Sequence, residues 1–165
     1  MIVIGLGGNV PGEPAIRARF VYARAALASL GEVRSAPLYR SAPIALPDAP
    51  AQPAFLNSAV GLRAEVLPRE LIETLHELER LLGRTRELET RWGPRPIDLD
   101  VLVWGDRIVN IEGLEVPHPR LGERRFALLP LIALLGEAFV VPGQGVAGEL
   151  LRRVADQEVT ELGDW

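Results

Sequence analysis

The stretch Arg91-Trp-Gly-Pro-Arg-Pro-Ile-Asp-Leu-Asp-Val-Leu-Val-Trp104 decides how the rest of the chain is read. Its second half, Ile97 to Trp104, is aliphatic, β-branched and aromatic, and turn residues bound it: Pro94 and Pro96 before, Gly105-Asp106 after. That pattern predicts a strand. Successive side chains of a strand point to opposite faces. Ile97, Leu99, Val101 and Val103 are thus expected on one face, and Asp98, Asp100, Leu102 and Trp104 on the other. The two carboxylates then share a face, ~7 Å apart at their bases.

Two acids in an apolar strand repel each other, and partial burial adds to the cost. A divalent cation removes both problems, since Mg²⁺ prefers one or two carboxylates with waters and substrate phosphates completing its shell. The other reading is that the acids pair with nearby arginines or face water. Arg84, Arg86, Arg91 and Arg95 lie just upstream, and the guanidinium fork matches phosphate oxygens. Acids for a metal beside arginines for phosphates is the set that phosphoryl transfer requires.

Working outward, Ile2 to Leu6 predicts a short strand ended by Gly7-Gly8, and Pro14 opens a helix whose apolar positions are Ile16, Phe20, Ala23, Leu27 and Leu30, with Gly31 as cap. Val33 to Arg40 predicts a strand, followed by a loop with prolines at 43, 47, 50 and 53; long loops in compact domains tend to be functional. Phe55 to Arg63 predicts another strand with Phe55 and Asn57 on one face; by themselves these residues read more often as a core Phe beside a strand-end Asn than as an aromatic plate and amide suited to a flat heterocycle. Pro68 to Gly83 predicts a helix with a stripe of Leu71, Ile72, Leu75, Leu78 and Leu82; Glu79 falls within that stripe and His76 lies one turn earlier. Gly83 to Thr90 is a charged loop, Ile108 to Ile111 a further strand, and Phe126 to Leu135 a short apolar helix, with the remaining C-terminus as covering structure.

The order strand, helix, strand, strand, helix, strand matches a ferredoxin-like βαββαβ antiparallel sheet of the α+β class, with helices packed on it and extra C-terminal elements. No repeat or linker interrupts residues 1–165, so a single domain is expected. The net charge of −4 gives no global basic footprint for nucleic acid or membrane. No apolar run approaches the ~20 residues that span a bilayer, and the N-terminus lacks the features of a signal peptide. Cysteine is absent, which excludes disulfides, thiolate chemistry and cysteine zinc sites. Every basic residue is arginine, so a phosphate-loop lysine is impossible. The glycines of residues 5–12 lack the spacing of a dinucleotide loop. A cytoplasmic monomer is the expectation.

The opening stretch resembles the signature of the 6-hydroxymethyl-7,8-dihydropterin pyrophosphokinase family of folate biosynthesis. Ile4-Gly-Leu-Gly-Gly-Asn9, Tyr39-Arg-Ser-Ala-Pro43, Phe55-Leu-Asn57, and Val116-Pro-His118 followed by Arg124 and Phe126 carry the likeness to about Pro130. The resemblance implies transfer of pyrophosphate from ATP to the pterin hydroxymethyl group, with Asp98 and Asp100 holding two Mg²⁺ ions. It implies that Arg84, Arg86 and Arg95 act with these acids in catalysis, and that Arg84 and Arg86 ride on a mobile loop closing over the triphosphate. His118 and Arg124 would add charge at the phosphates, His76 and Glu79 would lie near the nucleoside, and Trp92 would pack at the junction of the substrates. Ser41, Ala42 and Ile44 would hold the pterin from a loop, Phe55 and Phe126 would sandwich it, and Asn57 would read its edge beside Asp98. The chain departs from the family at Gly8, usually serine; at Phe55, often tyrosine; and at Gly113 and Glu115, often arginine and threonine. Gly113 and Glu115 are therefore left outside the expected site. Alternatives are another Mg-dependent nucleotide phosphotransferase and a non-catalytic ferredoxin-like binding module. An RNA-binding sheet fails for want of paired aromatics and basic charge.

Overall fold

The first strand, β1 (Ile2–Gly8), lies inside the main sheet with a neighbour on each side. The computed structural model describes residues 1–43, 51–85 and 93–165. After β1 come α1 (Glu13–Leu27), β2 (Glu32–Ser35), β3 (Leu38–Ser41), β4 (Phe55–Arg63), α2 (Pro68–Leu81) and β5 (Asp98–Trp104). The hairpin β6 (Val109–Ile111) and β7 (Leu114–Val116), α3 (Arg125–Leu135), the small pair β8 (Val140–Val141) and β9 (Gly145–Val146), α4 (Ala147–Arg153) and β10 (Val159–Gly163) complete the chain. The main sheet runs β10-β3-β4-β1-β5 with β2 also against β4, and its pairings are antiparallel.

Alternation along β1 builds two cores. Ile2, Ile4 and Leu6 point to one face, where they meet Ile16 and Phe20 of α1 and Leu71, Leu75 and Leu78 of α2. Val3 points to the other, with Ala59, Leu102 and Val103, under Leu128 and Leu131 of α3 and Leu150 of α4. The sheet is thus covered on both faces, which is why β1 and β4 read as nearly continuous apolar runs. On the second face α3 begins only at Arg125, so the end of the sheet around Gly5 and Gly7 is left open.

Several expectations change in detail. β1 continues through Gly8, because Gly7 and Gly8 both pair in the sheet; the turn comes after them. The strand expected over Val33 to Arg40 is split at Ala36-Pro37, where the register against β4 slips by one residue, since proline supplies no N–H to the ladder. Gly31 is not the cap of α1, which ends at Leu27; it sits where an added Cβ would lie 2.1 Å from the carbonyl oxygen of Arg63. Gly83, by contrast, stops the second helix as expected, at φ 94°, a conformation that costs glycine least. The C-terminus is more than a cover: β10 extends the sheet beside β3, and the Trp165 ring packs edge-on against Phe20 at 5.6 Å.

The alternation expected for β5 holds only to Leu102. The register of β5 against β1 shifts between Val3 and Ile4, which face Val103 and Val101. The bulge at Leu102 turns Val103 to the face of Leu102 and sends Trp104 to the face of Leu99 and Val101. Asp98 and Asp100, upstream of the bulge, keep their shared face.

Candidate active site

Register places the first site residues. Gly7 of β1 lies opposite Asn57 on one side and Asp98 on the other. One row across the sheet therefore carries an amide, a bare backbone and a carboxylate, with the two side chains ~10 Å apart at two strand spacings. Gly5 lies in the next row, opposite Asp100. Because Gly5 and Gly7 carry no side chains, they form the floor of a cavity walled by Phe55, Asn57, Leu102 and Phe126. Ser41, Ala42, Arg95, Asp98, Asp100 and Arg124 also line it. Asn57 is buried and donates to the Ser41 hydroxyl at 3.0 Å, which fixes its amide. The Arg124 guanidinium lies 5.8 Å from the centre of the Phe126 ring.

Asp98 is held by two arginines. One of its oxygens accepts from Arg84 Nη1 and the other from Arg95 Nη1 at 2.7 Å. Burial alone would raise its pKa, but the charges of Arg95 and Arg84 outweigh that and hold the carboxyl below its usual range. The same Arg84 Nη1 donates to Glu79 at 2.6 Å. Glu79 is almost fully buried and also accepts from the backbone N–H of Leu99 at 2.8 Å, so it ties α2 to the start of β5. Glu79 lines neither this cavity nor the second one described below.

Asp100 is half-exposed and is pushed up to about 7, first by desolvation and then by the negative charge of Asp98, against the pull of Arg124. Its Oδ2 lies 3.9 Å from Nε2 of His118. Burial, followed by the charge of Arg124, lowers His118 to about 4, so the ring is neutral near pH 7. Nδ1 accepts from the Arg120 N–H at 3.0 Å, which leaves the proton on Nε2, aimed at the acids. His118, expected at the phosphates, is held as a neutral hydrogen-bond donor. Its backbone is pinned from both sides, its N–H donating to Leu102 and its carbonyl accepting from Gln144.

A second cavity lies past the edge of β5, between α2 and the β6–β7 hairpin. His76, Asp100, Asn110, Glu115 and His118 line it together with apolar side chains such as Ile72. Gly113 and Glu115, left outside the expected site, are in its wall. Among the described residues Asp100 alone lines both cavities, so the two meet at a carboxylate.

The expected residues Ile44, Arg86 and Trp92 lie outside the described residues. Three contributors were not foreseen. Asn9, fully buried, accepts from the Arg95 N–H at 2.9 Å and donates to Gln52 at 3.0 Å and to the Pro53 carbonyl at 3.1 Å. Gln52 lines the first cavity. Gln144 ties the His118 carbonyl to the N–H of Gly122. Asn9 closes the quoted glycine-rich stretch and could have been found there; Gln144 stands in no pattern. At Gly8 an added Cβ would meet the Pro96 carbonyl oxygen at 2.8 Å, so the arm carrying Arg95 packs on bare backbone here.

No cluster of three or more metal-ligating side chains occurs among the described residues. Asp98 and Asp100 instead form a two-carboxylate pair whose mutual repulsion shows in the raised Asp100, a donor set that suits a hard cation completed by water and phosphate.

Residues 3–136 match the family described as 7,8-dihydro-6-hydroxymethylpterin-pyrophosphokinase (HPPK). The chain belongs to this family. It is 40% identical over 134 residues to a 2-amino-4-hydroxy-6-hydroxymethyldihydropteridine pyrophosphokinase of Bacillus subtilis, covering 78% of this chain and 74% of that one. It is 40% identical over 144 residues to the protein of the same name from Synechocystis, covering 87% and 70%. A mitochondrial folate synthesis bifunctional protein of Pisum sativum is 41% identical over 137 residues, which is 83% of this chain but 25% of that protein; the chain spans about a quarter of this longer relative. In structure it resembles Plasmodium falciparum HPPK-DHPS, with a TM-score of 0.64 at 14% identity over 94% of this chain and 43% of that one. That likeness concerns the fold, a mixed α/β arrangement with a mainly antiparallel sheet.

Proposed function

We propose that this protein transfers the β,γ-pyrophosphoryl group of ATP to the hydroxymethyl oxygen of 6-hydroxymethyl-7,8-dihydropterin. The observation that carries the reading is the meeting of two unlike cavities at Asp100, one floored by glycine and walled by Phe55, Phe126 and Asn57, the other polar and bordered by His76 and His118. A flat heterocycle with amide edges suits the first, and a nucleotide suits the second. In the transfer the substrate oxygen bonds to the β-phosphorus, the bond from that phosphorus to the α–β bridging oxygen breaks, AMP leaves with the electron pair, and the hydroxyl proton passes to solvent.

Asp98 and Asp100 would hold Mg²⁺, two ions by the family resemblance, which would screen phosphate charge and lower the pKa of a bound hydroxyl. Arg84, Arg95 and Arg124, with Arg86 from outside the described residues, would neutralise charge on the phosphates, and the Nε2–H of His118 would donate to a phosphate oxygen. Phe55 and Phe126 would sandwich the pterin, with Asn57, Ser41, Ala42 and Ile44 reading its edge; His76 and Trp92 would border the nucleotide. Acceleration would come from positioning and preset charge, because phosphoryl transfer needs little covalent help. The sheet order supports a ferredoxin-like assignment, β5-β1-β4-β3 being the split β-α-β arrangement with β10 added at the edge. We further read the chain as a single-domain, cytoplasmic monomer. Among the described residues no helix is long and apolar enough to cross a membrane.

The test is an end-point assay with ATP, Mg²⁺ and the pterin. AMP appearing only when all three are present is the expected result. ADP, or AMP without pterin, would overturn the proposal in favour of another phosphotransferase or a hydrolase.

A further inference from the structure

Arg84 stands between two carboxylates, and one nitrogen serves both. Its Nη1 donates to Glu79 at 2.6 Å and to Asp98, while Arg95 takes the other oxygen of Asp98. Glu79 and Arg84 are both buried, so their interaction is poorly screened and strongly charge-dependent. Arg84 and a divalent cation want the same carboxylate oxygens. Glu79 draws the guanidinium the other way, and its hold on Leu99 N–H keeps it fixed relative to the strand that carries both acids.

We propose that Glu79 is a positioning residue that sets how strongly Arg84 competes with a divalent cation for Asp98, and that it keeps Arg84 at the site once the cation is bound. The inference rests on the reading of Asp98 and Asp100 as the metal-holding pair. It departs from a direct nucleotide contact for Glu79, whose carboxylate is turned toward Arg84 and Leu99.

The experiment is Mn²⁺ titration of the full chain saturated with α,β-methylene-ATP, read by loss of the free-ion EPR signal beyond that given by the same nucleotide without protein, for wild type, Glu79→Gln and the double variant Glu79→Gln/Arg84→Gln. Melting temperature and the split of kcat from KM are recorded alongside. Glu79→Gln keeps the shape and an acceptor for Leu99 but removes the charge. It should bind Mn²⁺ severalfold more weakly and lose kcat with little change in the KM for pterin. The double variant should recover Mn²⁺ affinity while remaining poorly active, because the competing cation is gone. A purely structural Glu79 would lower the melting temperature and leave Mn²⁺ affinity at the wild-type value, which would overturn the inference. Should Glu79→Gln not fold, the charge-neutral double variant decides alone: Mn²⁺ affinity well below wild type would overturn the proposal. Failure of the wild type itself to bind Mn²⁺ would instead overturn the metal reading beneath it.

Discussion

Asn9 and Arg95, 86 residues apart in the chain, are joined by two hydrogen bonds: the Asn9 N–H donates to the Arg95 carbonyl at 3.0 Å, and the Arg95 N–H donates to Asn9 Oδ1 at 2.9 Å. A side chain with almost no exposed surface thus copies the pairing of a strand and holds the arm from which Arg95 reaches Asp98. Its amide also grips Gln52 and Pro53 on the cavity rim.

Replacing Asn9 with Ala should therefore act on stability and binding together. Loss of buried hydrogen bonds with backbone partners left unpaired should cost about 1–3 kcal/mol. The KM for the pterin should rise more than the KM for ATP, since both segments that Asn9 joins border the first cavity. Denaturant unfolding and steady-state kinetics check the two parts; an unchanged pterin KM would contradict the second.

Asp98 and Asp100 should respond differently to neutralisation. Asp98→Asn removes the shared counter-charge of Arg84 and Arg95 and should lower stability by about 1–3 kcal/mol as well as abolishing turnover. Asp100→Asn removes a charge that the fold disfavours and should leave stability at or above that of wild type near pH ~8, while kcat falls by about 10²-fold or more. Thermal melts beside single-turnover rates separate them. An active Asp100→Asn enzyme would remove the metal assignment.

The raised pKa of Asp100, about 7 against an ordinary 3.8, has a signed consequence. Between those values the folded protein holds a proton that the unfolded chain has lost, so this group's contribution to stability declines as pH rises through the window and is level above it. A cation binds only the ionised form. Stabilisation by Mg²⁺ should thus be small near pH ~5.5 and grow toward pH ~8. Melting curves with and without Mg²⁺ across that range give the answer; a pH-independent Mg²⁺ effect would contradict it.

His118 has the opposite sign. Its pKa of about 4 lies below the ordinary value of 6.5, so its contribution to stability is complete above 6.5 and is lost as pH falls through the window to about 4. Long-range ¹H–¹⁵N spectra should show a neutral ring with the proton on Nε2, unchanged from pH ~5.5 to ~8. Titration near the ordinary value would show that the ring is a cation donor after all.

Much of this was legible along the chain. The strand with two acids, the Phe55–Asn57 face, the two helical stripes and the glycine stop at Gly83 follow from period, propensity and backbone freedom, which are local. The bulge at Leu102 was not legible, because it answers to the register of β5 on β1 and leaves no special residue to mark it. Nor was the burial of Glu79 beside Arg84, since an acid within an apolar stripe reads the same whether it faces a ligand or an arginine from the next loop.

By itself the sequence determined which groups are available and which strand or helix carries them, because alternation and capping are decided between near neighbours. Only the tertiary structure decided the charge each group carries in place. Asp98 is held down by two arginines, Asp100 is pushed up beside it, and His118 is kept neutral with its proton on Nε2. Those states depend on desolvation and on distances through space between residues far apart in the chain. They exist only once β1, β5 and the His118 segment are brought together.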